Sequence, residues 1–157
     1  ETGEATILSV RDGNHHLTVN KVDGPQTFRV TSDPGHLGAL HTTSVGKALV
    51  AFADDATRSR LVDDLELQPL TEFSITDREA FRAEIELVRQ RGFAVMDQEN
   101  ELGMRAVAVP VFNAQGTAFA SLATAVPVFR MSVEALVALV PLLQSAAAEL
   151  AARLPQQ

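Results

Sequence analysis

Two runs of β-forming residues, Met104–Phe112 (MRAVAVPVF) and residues 117–126 (TAFASLATAV), are joined by only four residues, Asn113-Ala114-Gln115-Gly116. So short a link closes a hairpin and leaves no room for a crossover helix, so the two runs pair antiparallel. Residues two apart on a strand share a face. Ala106 and Ala108 therefore share one face of the first strand, and Ala123 and Ala125 one face of the second. A sheet face lined with methyl groups either receives a closely packed helix or leaves volume for a ligand. Pro110 has no N–H to give a ladder and marks an edge or a bulge.

The rest of the chain supplies more strands and the helices to cover them. Residues 5–11 (ATILSVR) end at Asp12-Gly13, a strong hairpin signal, and residues 17–22 (LTVNKV) alternate as the partner strand. Asp23-Gly24-Pro25 turns the chain, residues 28–31 make a short third strand, and Asp33-Pro34-Gly35 breaks it. Residues 93–96 form a further strand before the hairpin.

A helix opens near Thr43 and Ser44, either of which can cap it, and Val45, Leu49 and Phe52 share one of its faces. The free N–H groups of its first turn suit a carboxylate or phosphate, although an ordinary capped helix has the same sequence. Asp54-Asp55 caps a second helix running to Leu65. Thr76-Asp77-Arg78-Glu79 reads as a capping box for a third, striped by Phe81, Ile85 and Val88 and stopped by Gly92. Residues 132–154 read as one long helix with a stripe of Val133, Leu136, Val140, Leu143, Ala147, Leu150 and Leu154, kinked at Pro141.

The chemistry that is missing narrows the function. Without cysteine there is neither a thiol nucleophile nor a disulfide. No G-x-S-x-G elbow, phosphate loop or G-x-G-x-x-G occurs. His15 and His16 are adjacent and face opposite ways on a strand, so they cannot share a metal; of His36 and His41, near the helix start, one is a candidate to face a pocket. Asp97, Glu99 and Glu101 follow a strand, where charges are usually solvated. No metal and no cofactor is expected. The net charge of −7 repels a phosphate backbone, so nucleic acid is not a direct partner of this stretch. Pro141 and polar residues interrupt the most apolar segment, so no membrane span is expected.

Three blocks together resemble a known family. Leu40-His41-Thr42-Thr43-Ser44-Val45-Gly46-Lys47-Ala48-Leu49 is similar to L-H-A-T-A-x-G-K-A-L-L-A. Arg91-Gly92-Phe93-Ala94-Val95, with Asp97, Glu99, Gly103-Met104-Arg105 and Ala108-Val109-Pro110-Val111-Phe112, is similar to R-G-Y-A-x-D-x-E-E…G-x-R-C-I-A-A-P-V-F. Gly116 with residues 120–127 is similar to G-x-x-x-A-A-L-S-V-S-G-P. The order and spacing resemble the C-terminal effector-binding domain of IclR-family bacterial transcription regulators over essentially the whole chain.

That resemblance implies an α+β, GAF-like fold, a curved antiparallel sheet of about six strands flanked by helices. It implies a single effector-binding domain over residues 1–157, sensing a small molecule and not catalysing a reaction. The winged helix-turn-helix of the family does not precede Glu1, so this chain is expected to be the sensor half, reaching DNA only through that absent domain. It also implies a homodimer or tetramer, and the absence of cysteine and of a visible signal peptide fits a cytoplasmic protein. The family's pocket positions fall on Val30, Ser44, Val45, Met96, Ala106, Ala123 and Ala125. Where the family often carries Asp, Cys and two Ser, this chain has Met96, Ala106, Ala123 and Ala125. The expected effector is therefore small and largely apolar, such as an aromatic carboxylate, its acid group at the amides of residues 43–45. The alternatives are a hydrolase using His41 as base in the same cleft and a ligand-free oligomerisation domain.

Overall fold

The computed structural model describes residues 4–22 and 33–153. Six strands form one antiparallel sheet: β1 (Ala5–Asp12), β2 (His15–Val22), β3 (Leu37–Ala39), β4 (Ala94–Asp97), β5 (Met104–Phe112) and β6 (Ala118–Pro127). Their order across the sheet is β3-β2-β1-β6-β5-β4, so the first hairpin is zipped onto the last strand. The β5–β6 hairpin pairs Ala106 with Ala125 and Ala108 with Ala123, while β1 sets Ile7 opposite Ala123 on the other side. The fold is α+β, as the resemblance implies, with the helices divided between the two faces of the sheet.

The small-residue face receives α1 (Ser44–Ala51), and all eight residues of that helix are buried. Ala94, Ala108 and Ala123 pack with Val45, Ala48 and Val50 in one core. The approach is close at Gly46: a Cβ there would lie 2.5 Å from both Cα and O of Leu40. α2 (Asp55–Asp64) and α3 (Arg78–Arg91) close over α1, with Leu61, Phe81, Ile85 and Val88 pointing inward. Behind the sheet, Val107, Val109, Val111, Leu122 and Val126 pack against α4 (Val133–Val137) and α5 (Val140–Arg153) through Leu136, Val140, Leu143 and Ala147.

The expected third strand, at 28–31, lies outside the described residues. Among the described residues, the next strand after β2 is β3, beyond the Asp33-Pro34-Gly35 turn. Several other sequence expectations need correction. The helix expected over 132–154 is two helices, parted at Ala138 and Leu139. Pro141 is the second residue of α5, where its missing N–H costs nothing because that amide would have no helical acceptor. Combined, 133–153 is long and apolar enough by composition to cross a membrane, contrary to expectation, yet its apolar stripe lies on the sheet. The cap of α3 is Asp77, which accepts from the Ala80 amide, one residue past the Thr76 of the expected box. Pro110 is tolerated because β4 begins opposite Ala108, leaving β5 a strand on one side only beyond that point.

Candidate functional site

The alanine face shows both arrangements that the sequence leaves open, a packed helix and unfilled volume. At one end it carries α1. At the other, beyond the helix start, a cavity of about 130 Å³ opens between β1, β4, β5, β6 and the first residues of α1. Its floor is Ile7, Met96, Met104, Ala106 and Ala125, which form an apolar cluster of their own. Ala123 and Val45 belong to the core beneath α1 and also border the cavity. Asn100 and Glu101, between β4 and β5, stand at the rim.

The start of α1 is built to face this space. Thr43 is the N-cap: its hydroxyl accepts from the Gly46 amide (3.0 Å) and donates to the Ala39 carbonyl (2.7 Å). The Lys47 amide donates to the Thr43 carbonyl at 3.0 Å. The amides of Ser44 and Val45, first in the helix, have no acceptor within it. Both residues border the cavity, at the positive end of the α1 dipole.

The rim is held from behind by a buried ammonium. Lys47 is 0% exposed, and its Nζ donates to Glu84 Oε2 (2.7 Å), Glu99 Oε1 (2.8 Å) and the Val95 carbonyl (2.7 Å). The second oxygen of Glu99 accepts from the Asp97 amide at 3.2 Å. Burial pushes the Glu99 carboxyl above its ordinary range, and the Lys47 charge pulls it back. Ser74 donates to the Glu99 carbonyl and Thr71 to that of Gln98, each at 2.7 Å, and Thr42 donates to Asn100 Oδ1 at 2.6 Å. Residues 98–100 are thereby pinned to α1 and to the segment before α3. The expectation of solvated charges fails at Glu99, a structural partner of Lys47, whereas Glu101 is exposed and Asp97, paired with Arg105, keeps 40% of its side chain in solvent.

Two histidines complete the wall. His16, on β2, is 2% exposed and borders the cavity. His36 lies beside it, with ring centroids 6.1 Å apart. His41, the base of the alternative hydrolase reading, lies elsewhere, with Nε2 2.8 Å from the Gln68 carbonyl.

Ser44, Val45, Met96, Ala106, Ala123 and Ala125 thus all border one cavity, whereas Val30 lies outside the described residues. Sequence reasoning missed Ile7, His16 and Met104. Ile7 and Met104 follow from strand register and alternation once the pairing is known. Nothing in a His-His pair says which ring turns inward.

Comparison with known proteins agrees with this architecture. A family model described as Bacterial transcriptional regulator IclR C-terminal matches residues 1–152. The probable transcriptional regulator SauR of Cupriavidus necator is 39% identical over 148 residues, covering 94% of this chain and 59% of that protein. The solved Thermotoga maritima IclR superposes with a TM-score of 0.90 at 30% identity, over 97% of this chain and 62% of that one. A double mutant of the PobR inducer binding domain from Acinetobacter, in complex with 3-hydroxybenzoic acid, superposes with a TM-score of 0.84 at 31% identity, over 96% of this chain and 88% of that one. The chain spans less than two thirds of the length of SauR.

Proposed function

We propose that this chain, which belongs to the IclR family of bacterial transcriptional regulators, senses a small, largely apolar carboxylic acid in the cavity at the start of α1. The effector-binding domains of this family are regulatory modules and not enzymes, and DNA binding in these regulators belongs to a helix-turn-helix domain. The observation that carries the ligand class is the pairing of two unlike surfaces in one small space. The Ser44 and Val45 amides favour an anion, and the walls of Ile7, Met96, Met104, Ala106 and Ala125 favour a hydrocarbon body. An unmatched buried polar group costs about 1–3 kcal/mol, so this floor disfavours a polyhydroxylated ligand. An apolar cavity of about 150 Å³ holds benzene, so 130 Å³ suits a single ring or a short chain. The 3-hydroxybenzoic acid in the PobR inducer binding domain supports a ligand of this size and class.

The acid sits with its carboxylate at Ser44 and Val45 and its body against Met96, Ala106, Ala123 and Ala125. Binding biases the placement of the neighbouring domain and so changes operator affinity. The intact regulator works in the cytoplasm as a homodimer or tetramer. A thermal-shift screen with benzoate, 3-hydroxybenzoate and propionate, each against its neutral amide, tests the reading. A ligand at 100 times its Kd adds about 2.7 kcal/mol, which raises the Tm by roughly 5–11 °C for a domain of this size. Shifts from the acids alone support the acid site. Shifts from the amides alone keep the cavity and remove the anion; no shift from any compound overturns the ligand reading.

A further inference from the structure

Buried polar atoms nearly always find a hydrogen-bond partner, so the exceptions ask for an explanation. Among the described residues, both ring nitrogens of His16 are buried and without a partner. The hydroxyls of Ser9 and Thr18, opposed in the β1–β2 register, are also orphaned, but His16 alone of these three borders the cavity. The fold makes deliberate room for it. His16 is opposite Gly38 on β3, and a Cβ at Gly38 would come within 2.3 Å of the His16 Nε2. Any side chain at 38 would push the imidazole out of its berth.

Among the described residues, the charged and titratable surroundings of this ring are few. His36 approaches from the segment before β3, and Glu101 borders the same cavity from the segment between β4 and β5. Arg11, opposite on β1, turns its guanidinium to the Gly13 carbonyl. His15 is the next residue on the strand, and Lys47 of α1 is committed to Glu84, Glu99 and Val95. Burial lowers the His16 pKa to about 4, with the His36 and His15 charges adding to the effect. The ring is therefore neutral at physiological pH, with one N–H and one lone pair both unused.

We propose that His16 is a second polar partner within the cavity, alongside the α1 amides, and that it hydrogen-bonds a carboxylate oxygen of the bound acid while taking one proton from solvent. This deepens the acid-site reading and rests on it. In a cavity this small an anion at the α1 amides lies close to the imidazole, and an opposite charge within about 4–6 Å favours the charged form of a base. Anion and imidazolium then enter the buried space as a neutral pair, which avoids leaving a lone charge desolvated.

Isothermal titration with sodium benzoate at pH 6, repeated in buffers of different ionisation enthalpy, counts the protons taken up. The wild-type chain takes up close to one proton per benzoate bound. His16→Leu binds at least ten-fold more weakly and takes up none, His16→Gln keeps part of the affinity without the proton, and His36→Asn leaves the uptake intact. Because the Gln variant stays polar, it still reads the effect if the Leu variant fails to fold. Benzoate binding with equal affinity and equal uptake in both His16 variants overturns the role of His16 while leaving the acid site standing, the proton then travelling on the ligand. No heat from benzoate, 3-hydroxybenzoate or propionate in the wild-type chain overturns the acid site, and this proposal with it.

Discussion

Replacing Lys47 with Met tests the scaffold behind the site. The ammonium is fully buried and holds two carboxylates and a carbonyl, all within 2.8 Å. Removing one member of a buried ion pair costs about 3–5 kcal/mol, because its partner is left desolvated and unpaired. Glu84 and Glu99 keep 18% and 14% exposure, so water reaches them and the lower end, about 3 kcal/mol, applies. That lowers the Tm by roughly 6–12 °C. The loss carries a pH signature. Burial already raises the Glu99 pKa, and Lys47 is what restrains it. Without Lys47 the folded state holds its proton to higher pH, while the unfolded carboxyl ionises as usual. The stability lost through this group therefore grows as pH rises above the ordinary carboxyl range, so the deficit is smaller at pH 5 than at pH 8. Urea unfolding at the two pH values, with the slopes checked for constancy, measures it. Adding Glu84→Gln and Glu99→Gln to the Met variant recovers at least half of the loss at pH 8. A deficit below 1 kcal/mol at pH 8, or one that ignores pH, refutes the claim that this ion cluster braces the rim.

Three further outcomes follow from the packing and the cavity. Gly46→Ala drives a methyl group into the Leu40 backbone and the Thr43 hydroxyl, so it costs at least about 3 kcal/mol by urea unfolding, more than the usual gain of Ala over Gly in a helix. Ala106→Leu fills the floor of the cavity: benzoate binding by calorimetry falls at least ten-fold, while the melting temperature without ligand changes little, because the added group enters open space. His16 has a lowered pKa when folded, so the unfolded chain binds the extra proton first and stability falls with decreasing pH from 6.5 toward about 4. The slope is up to about 1.4 kcal/mol per pH unit, and subtracting the His16→Leu curve from the wild-type curve isolates it.

The sequence discloses the elements whose signals are local. Period-two alternation with a four-residue link placed β5 and β6, the Thr43 hydroxyl followed by an apolar run placed α1, and Gly92, at φ 88°, stopped α3. What stayed hidden depends on partners far along the chain. Lys47 looks like a helix-surface residue until α3 and the segment after β4 bring Glu84 and Glu99 to it. β3 has three residues and no alternation to read; it exists because β2 offers an edge and Gly38 admits the His16 ring. The alanines of β5 and β6 left helix packing and an open cavity as alternatives, and only the length of α1 decides where one gives way to the other. The assignment of Ser44, Val45, Met96, Ala106, Ala123 and Ala125 to a pocket came from family resemblance, whereas Ile7 and Met104 required the strand register.

The most direct measurement is a two-dimensional NMR titration of the isotopically labelled chain with sodium benzoate. Saturable shifts are expected at the Ser44 and Val45 amides, at the His16 ring and at the Met96, Ala106 and Ala125 methyl groups. Shifts confined to another hollow, such as the groove lined by Phe52, Phe112, Ala147 and Ala151, contradict the acid-site reading, as does a spectrum that saturating acid leaves unchanged.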